Sequence, residues 1–167
     1  FDAGAFYDDA YFMSPDAPKG YGDYFALAAA LERTNRARLR RLGRLHPTAR
    51  RLLDVGCGPG FFVKAAAEAG LDAWGLEVSE FAARYGRDQL HQRIITGPVD
   101  AEHLVRIDGG FDLITLWDTI EHLPAPAEAM NLLAGRLEPG GVLTLSTGDI
   151  GSLAARASGS RWHLYNL

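Results

Sequence analysis

Nine consecutive residues, at positions 52–60, have the composition of a ligand-binding turn. They read LLDVGCGPG: an apolar run, then Asp54, then glycines at positions 56, 58 and 60. Glycine has no Cβ, so its backbone adopts conformations that other residues avoid and lets N–H groups approach a bound molecule closely. The apolar run suits a buried strand and residues 61–69 a helix, whose N-terminus would face the same ligand. The segment therefore predicts a turn that holds a nucleoside cofactor.

The spacing of the glycines separates two classes of such cofactor. A dinucleotide-binding turn, GxGxxG from Gly56, needs Gly or Ala at position 61, where this chain has Phe61. The observed pattern is DxGxGxG, from Asp54 to Gly60. In this pattern the sequence resembles the class I S-adenosylmethionine-dependent methyltransferases. The resemblance implies that S-adenosylmethionine is the cofactor, and it makes an NAD-dependent oxidoreductase the less favoured interpretation.

An acidic residue at the end of a second apolar run supports this interpretation. The segment AWGLEV at 73–78 is typical of a strand, and Glu77 lies 17 residues after Gly60. A ribose-binding carboxylate is expected at a spacing of about 20 residues. The resemblance implies that Glu77 binds the ribose hydroxyls, whereas the alternative is a solvated glutamate at the end of a strand.

Three further segments resemble the same family in the expected order. The first, VDAEHL at 99–104, is similar to the segment whose acidic side chain meets the adenine amino group and whose next N–H meets the ring, which assigns Asp100 and Ala101. An equally weighted alternative is that Asp100 only caps a short helix. The others are FDLITLWDTIEHLPAP at 111–126 and LEPGGVLTLST at 137–147. The predicted cofactor-binding residues are Asp54, Gly56, Cys57, Gly58, Gly60, Glu77, Val78, Asp100, Ala101 and Trp117.

Methyl transfer from a sulfonium is an in-line displacement that depends mainly on alignment, with a base where the acceptor is a hydroxyl or an amine. The candidate catalytic residues are His122, Asp118 and His163. The remaining histidines, His46, His91 and His103, are expected at the surface.

A metal site is a second hypothesis for the segment after the fourth strand. Asp118, Glu121 and His122 form DxxEH, similar to the ExxEH of magnesium-dependent O-methyltransferases, in which these positions bind the ion. Two carboxylates and an imidazole are acceptable for Mg²⁺ but not distinctive for it. The alternative, that Glu121 and His122 only cap the loop and the following helix, is favoured.

Strand and helix patterns alternate from Arg50 onward. This alternation predicts an α/β fold with a doubly wound, Rossmann-like parallel sheet in a single domain. The family's strand order is 3-2-1-4-5-7-6, and the chain is expected to be a fragment that lacks strands 6 and 7. The expected strands lie near 51–56, 73–78, 93–97, 111–117 and 141–147, and the expected helices near 60–69, 79–90 and 126–137.

Two segments before the first strand have distinct compositions. Residues 1–24 are aromatic and rich in Gly, Pro and Asp, which suits either a lid over the site or packing on the sheet with equal weight. Residues 33–51 carry eight arginines with leucines at near-helical spacing. A helix with a solvated arginine face is favoured there over a docking patch for an anionic substrate.

Composition limits the remaining possibilities. The chain has 167 residues, 47% of them hydrophobic, and its net charge of −4 does not favour nucleic acid as a partner. No apolar stretch reaches the roughly 18 residues of a membrane helix, so a cytoplasmic enzyme is expected. The leading hypothesis is a methyltransferase for a small molecule or glycan precursor, acting at oxygen, with a homodimer possible. The alternative is a cofactor-binding module without catalysis.

Overall fold

The computed structural model describes residues 28–149 and 151–158. In this part of the chain a parallel sheet of five strands has the order β3-β2-β1-β4-β5. The strands are β1 (Arg51–Val55), β2 (Asp72–Glu77), β3 (Ile94–Thr96), β4 (Phe111–Trp117) and β5 (Leu137–Ser146). The helices are α1 (Ala28–Leu45), α2 (Phe61–Glu68), α3 (Glu80–Asp88), α4 (Ala101–Leu104), α5 (Pro126–Ala134) and α6 (Leu153–Ser158), and Ile120–His122 forms a 3₁₀ turn.

Two apolar layers hold helices against both faces of the sheet. Alternate residues of a strand point to opposite faces, so Leu52 and Leu53 of β1 belong to different layers. The Leu52 layer packs against α1, α2 and α3, and the Leu53 layer against α4 and α5. Burial on both faces explains the uninterrupted apolar run before Asp54. The predicted doubly wound α/β fold is confirmed.

The order of the strands reverses direction at β1. The chain moves from β1 outward through β2 to β3, and then returns to place β4 on the other side of β1. In open parallel sheets ligands bind at such a switch point, outside the carboxyl ends of the strands. Residues 56, 77 and 118, which the sequence singled out, all lie along this edge.

The fifth strand differs from the expectation. It begins at Leu137, whose partner is Phe111, and the pairing resumes with Leu113 opposite Val142. Residues 138–141 therefore lie opposite the single residue Asp112 and form an irregularity within the β5 ladder, where Gly140 has a φ of +83°. The sequence prediction started this strand at residue 141, because the EPGG segment was interpreted as a turn that precedes the strand. In the described sheet β5 is an edge, and the expectation of a homodimer stays a prediction.

Gly86 packs too closely on its neighbours to accept a side chain. A Cβ there would lie 2.3 Å from the Ile94 side chain and 2.8 Å from the carbonyl oxygen of Pro59. We expect Gly86→Ala to lower the free energy of unfolding by about 1–3 kcal/mol, because overpacking outweighs the gain in helix propensity. A Cβ at Gly43 of α1 would meet no atom of the described residues beyond its own helix within 4 Å, so Gly43→Ala should stabilise the protein by about 0.5–1 kcal/mol. Urea unfolding of both variants measures the contrast, and a stabilised Gly86→Ala would contradict it.

Candidate active site

The glycine turn between β1 and α2 has a left-handed backbone at each of its glycines. The φ angles are +68° at Gly56, +53° at Gly58 and +83° at Gly60, a region that other L-residues rarely adopt. The Gly56 N–H donates to the Leu76 carbonyl at 2.7 Å, which joins the turn to β2. A Cβ at Gly56 would lie 2.5 Å from the side chain of Thr119 in the loop after β4. Both the backbone conformation and the packing therefore require glycine there.

Glu77 ties the turn to the end of β2. Its Oε2 accepts the Gly58 N–H at 2.7 Å and its Oε1 accepts the Ser79 N–H at 2.8 Å. The side chain is buried, with 6% of the residue exposed, and this burial raises the pKa of Glu77. Each carboxylate oxygen can accept more than one hydrogen bond, so both can also accept ligand hydroxyls. The alternative of a solvated strand-end glutamate is excluded.

Asp54 is a second buried carboxylate at this edge. Its Oδ1 accepts the Thr115 hydroxyl at 2.6 Å, and only 2% of the residue is exposed. Burial raises the pKa of Asp54 to about 7, in spite of the opposing effects of the Thr115 hydrogen bond and the Arg38 charge. The negative charge of Glu77 raises that pKa further. The site therefore holds two carboxylates in poorly solvated surroundings.

Cys57 fills space beneath the turn. The thiol is buried, and a Cβ at Gly75 would lie 2.5 Å from its sulfur. Burial raises the pKa of the Cys57 thiol well above its usual range, so the thiolate is disfavoured. Packing, and not nucleophilic chemistry, is the role that these surroundings support.

Arg38 of α1 reaches into the site and was not among the predicted residues. Its guanidinium carbon lies 4.2 Å from the centroid of the Trp117 ring, and its Nη2 lies 3.5 Å from Oδ2 of Asp118. The side chain is 23% exposed, and its charge also acts on Asp54. A cation of α1 therefore pairs with the carboxylate that follows β4 and acts electrostatically on a second carboxylate in β1.

The helical spacing of α1 contained a signal for Arg38. Leu31, Asn35, Arg38 and Leu42 recur at intervals of four, three and four residues, so they share the face that packs inward. Asn35 and Leu42 are each only 3% exposed. The arginines on the other side of the helix are exposed, as the solvated-face interpretation expected: Arg33, Arg36, Arg40, Arg41 and Arg44.

The loop after β4 directs Asp118 toward Arg38. Asp118 has a φ of +54°, which is uncommon for a residue other than glycine. Its Oδ1 accepts the Ser146 hydroxyl at 3.0 Å, and its N–H donates to the Ser146 carbonyl at 3.0 Å. Trp117, just before it, meets Phe62 edge-on with ring centroids 5.4 Å apart. This half-exposed carboxylate thus stands at the junction of β4, β5 and α1.

The predicted magnesium site does not form. Within residues 28–149 and 151–158 there is no group of three His, Cys, Asp or Glu side chains that could hold a metal ion. Asp118 directs its carboxylate oxygens to Arg38 and Ser146 instead. The 3₁₀ turn that follows leaves Glu121 exposed and His122 half-buried. The metal assignment of Asp118, Glu121 and His122 is therefore corrected for this structure.

Asp100 caps α4, as the alternative interpretation proposed. Its Oδ1 accepts the His103 N–H at 2.8 Å and lies 2.7 Å from His103 Nδ1. The hydrogen bond from the His103 N–H is the main reason that the pKa of Asp100 is lowered. The side chain of His103 is only 19% exposed, so the expectation of a surface histidine was wrong. Binding of adenine by Asp100 and Ala101 stays a prediction.

The remaining predicted residues divide into two groups. Val78, half-buried beside Glu77, lies along the same carboxyl edge. His163 and the aromatic segment 1–24 lie outside the described residues. Of the helices described here, none is both long and apolar enough to cross a membrane.

Comparison with known proteins identifies the family to which the chain belongs. A family model described as a methyltransferase domain matches residues 27–166. The chain is 34% identical over 104 residues to a ubiquinone biosynthesis O-methyltransferase of Ralstonia nicotianae, covering 59% of this chain and 43% of that protein. The homologue of the same description in Thiobacillus denitrificans is 34% identical over 124 residues, covering 70% of this chain and 53% of that protein.

A solved structure has a similar fold. The amino pentose methyltransferase CalS10 of Micromonospora echinaspora, with S-adenosylmethionine bound, superposes with a TM-score of 0.63 at 26% identity, over 75% of this chain and 56% of that one. The chain belongs to the methyltransferase domain family. It spans about half the length of the curated relatives that it matches.

Asp54 makes the stability of the protein depend on pH. Its raised pKa means that the native state keeps a proton that the unfolded chain releases near pH 4, so stability falls as the pH rises toward 7. We expect Asp54→Asn, which keeps an acceptor for Thr115, to raise the free energy of unfolding by about 2–4 kcal/mol at pH 8 and to change it little at pH 4. Denaturant unfolding at both pH values measures the difference. Asp108→Asn, at an exposed carboxylate, is the matched control, and an equal effect at both pH values would contradict the assignment.

Proposed function

We propose that this protein is an S-adenosylmethionine-dependent methyltransferase that acts on a small-molecule acceptor, at oxygen. The observation that carries the proposal is the buried Glu77 bonded to the N–H of Gly58, in a left-handed glycine turn at the switch point of the sheet. Membership of the methyltransferase domain family and the O-methyltransferase relatives support the choice of reaction.

The charged side chains along the carboxyl edge of the sheet match different chemical groups of S-adenosylmethionine. Glu77 offers two carboxylate oxygens to the ribose hydroxyls, and the three glycines of the turn beside it have no side chains to obstruct a ligand. Arg38 offers a guanidinium to the carboxylate of the methionine moiety, and a guanidinium suits that partner because it can form two parallel hydrogen bonds. Asp54, on which the charge of Arg38 also acts, offers carboxyl oxygens to the ammonium group. The bound cofactor would supply a methyl group already activated on sulfur.

Asp118 and His122 are the proposed bases for the acceptor. A hydroxyl must lose its proton during transfer, and both residues follow β4, at the edge where the methyl group would be presented. Asp118 is half-exposed, so an acceptor can reach it, and His122 is half-buried in the 3₁₀ turn. The acceptor class is a small molecule or a glycan precursor.

Transfer to nitrogen is a second candidate. The solved relatives include a sugar N-methyltransferase from Streptoalloteichus, with a TM-score of 0.56 at 25% identity, over 75% of this chain and 49% of that one. The Asp118 carboxylate would also attract an amine. A panel containing hydroxylated aromatic compounds, neutral sugars and amino sugars distinguishes the two acceptor atoms. Cofactor binding without turnover of any of them would favour a binding module.

Two ligands that differ in one moiety test the proposed orientation of the cofactor. S-adenosylhomocysteine has the amino-acid group, and 5′-methylthioadenosine lacks it. We expect Glu77→Ala to weaken both by about 10–100-fold, because it removes acceptors from the ribose. Arg38→Ala should weaken only S-adenosylhomocysteine, by a similar factor. Calorimetric titration measures both affinities.

The exposed Arg40 of the same helix provides the control, since Arg40→Ala should change neither affinity. Equal losses for both ligands in Arg38→Ala would contradict the assignment to the carboxylate. Failure of the parent protein to bind either ligand would overturn the proposed function.

His122 is expected to act in the chemical step and not in cofactor binding. We expect His122→Ala to lower turnover by about 100-fold while the affinity for S-adenosylhomocysteine stays nearly unchanged, because a general base contributes to the transition state. His91→Asn is the control, since His91 is exposed with a φ of +55°, a conformation that asparagine tolerates. Full activity of His122→Ala would exclude the role. Stimulation by Mg²⁺ that Asp118→Asn abolishes would restore the magnesium hypothesis.

A further inference from the structure

Three residues after β3 form a close-packed group that the proposed chemistry does not use. His103 Nδ1 lies 2.7 Å from Oδ1 of Asp100, and the His103 N–H donates to the same oxygen at 2.8 Å. The other side of the imidazole packs on the backbone of Gly97. A Cβ at Gly97 would lie 2.0 Å from His103 Cδ2 and 2.3 Å from its Nε2. The ring is therefore held between a carboxylate and a glycine.

This arrangement fixes the orientation of the Asp100 carboxylate. Because Oδ1 is an acceptor, His103 Nδ1 must carry a proton and donate it. The backbone N–H and the ring Nδ1–H of His103 then both donate to Oδ1 of Asp100. Together these two hydrogen bonds set the plane of the Asp100 carboxylate. The Asp100 side chain is 42% exposed, so a ligand can approach it. Oδ2 is thus presented in a defined direction at the edge of the site.

The topology places the base of a nucleoside at this position. The strand order β3-β2-β1 puts the ends of these strands in a row, with the glycine turn after β1 and Glu77 at the end of β2. A nucleoside whose ribose meets Glu77 and whose other end meets the glycine turn extends its base away from β1, toward the end of β3. Val78 follows Glu77 and Val99 precedes Asp100 in the chain, and both are half-buried apolar residues.

We propose that His103 is a positioning residue that sets the base specificity of the cofactor site. It holds Asp100 so that Oδ2 accepts a hydrogen bond from the 6-amino group of a purine, and a 6-oxo purine in the same place meets the carboxylate with a second acceptor. A site built to receive a donor rejects the analogue that lacks it, because polar groups are then left unpaired. This inference rests on the proposed function and adds the residue that makes the site selective for adenine.

The test compares two ligands that differ only at position 6 of the base, S-adenosylhomocysteine and S-inosylhomocysteine. We expect the parent protein to prefer the adenine ligand by about tenfold or more. His103→Ala should reduce that preference to less than about threefold, because the carboxylate is then free to rotate. His103→Asn places an amide N–H close to the position of Nδ1 and should restore the preference, which a merely structural role of the ring would not predict.

Two further variants complete the experiment. Gly97→Ala keeps the histidine but displaces its ring, so it should lose the preference as His103→Ala does. Glu102→Ala changes an exposed residue of the same helix and should keep it. Calorimetric titration at one pH gives all the affinities, and thermal unfolding shows that each variant is folded.

The possible outcomes separate this inference from the function on which it rests. If the parent binds neither ligand, the proposed function fails and the inference fails with it. If the parent binds S-adenosylhomocysteine with the expected preference and His103→Ala keeps that preference, the inference alone is overturned. Loss of the preference in His103→Ala and Gly97→Ala, with recovery in His103→Asn, supports it.

Discussion

The hydrogen bond from the Gly58 N–H to the buried carboxylate of Glu77 is the interaction on which the rest of the site depends. The N–H groups of Gly56 and Cys57 donate to the Leu76 carbonyl, and the contact with Glu77 adds a side-chain anchor at the end of β2. The Glu77 carboxylate is costly to bury, which is why its pKa rises. Two N–H donors compensate part of that cost, and each oxygen retains the capacity to accept a further hydrogen bond.

A second set of charged groups surrounds Arg38, near the carboxyl ends of β1 and β4. Arg38 interacts with the charge of Asp54, pairs with Asp118 and lies over the face of Trp117, so one cation from α1 serves groups at the ends of β1 and β4. A guanidinium suits this position because it stacks on an aromatic ring while its N–H groups remain directed at carboxylates. The helix therefore contributes to the electrostatics of the site as well as to the apolar layer.

The sequence predicted the parts of the site whose relations are local along the chain. The glycine turn and the position of Glu77 follow from spacing and periodicity, whereas the order of the strands was implied by the resemblance to the family. The structure places all three as expected. The role of Arg38 depended on how α1 is rotated against the sheet. The arginine cluster alone did not select one residue, and the signal lay in the helical spacing of Arg38 with Asn35 and Leu42. The magnesium hypothesis also depended on side-chain directions that spacing does not give. Asp118 and Glu121 do not converge, because the Asp118 carboxylate faces Ser146 and the following turn leaves Glu121 exposed.

The contact between Gly56 and Thr119 constrains how this protein can change during evolution. The two residues belong to different loops, yet the space for a Cβ at position 56 is already filled by the Thr119 side chain, 2.5 Å away. A larger residue can enter at position 56 only after position 119 has become smaller, and even then the φ of +68° disfavours it. The effects of substitutions at the two positions are therefore not additive, and their order matters. Substitution in the glycine turn at position 56 therefore depends on a prior change in the loop that carries Asp118.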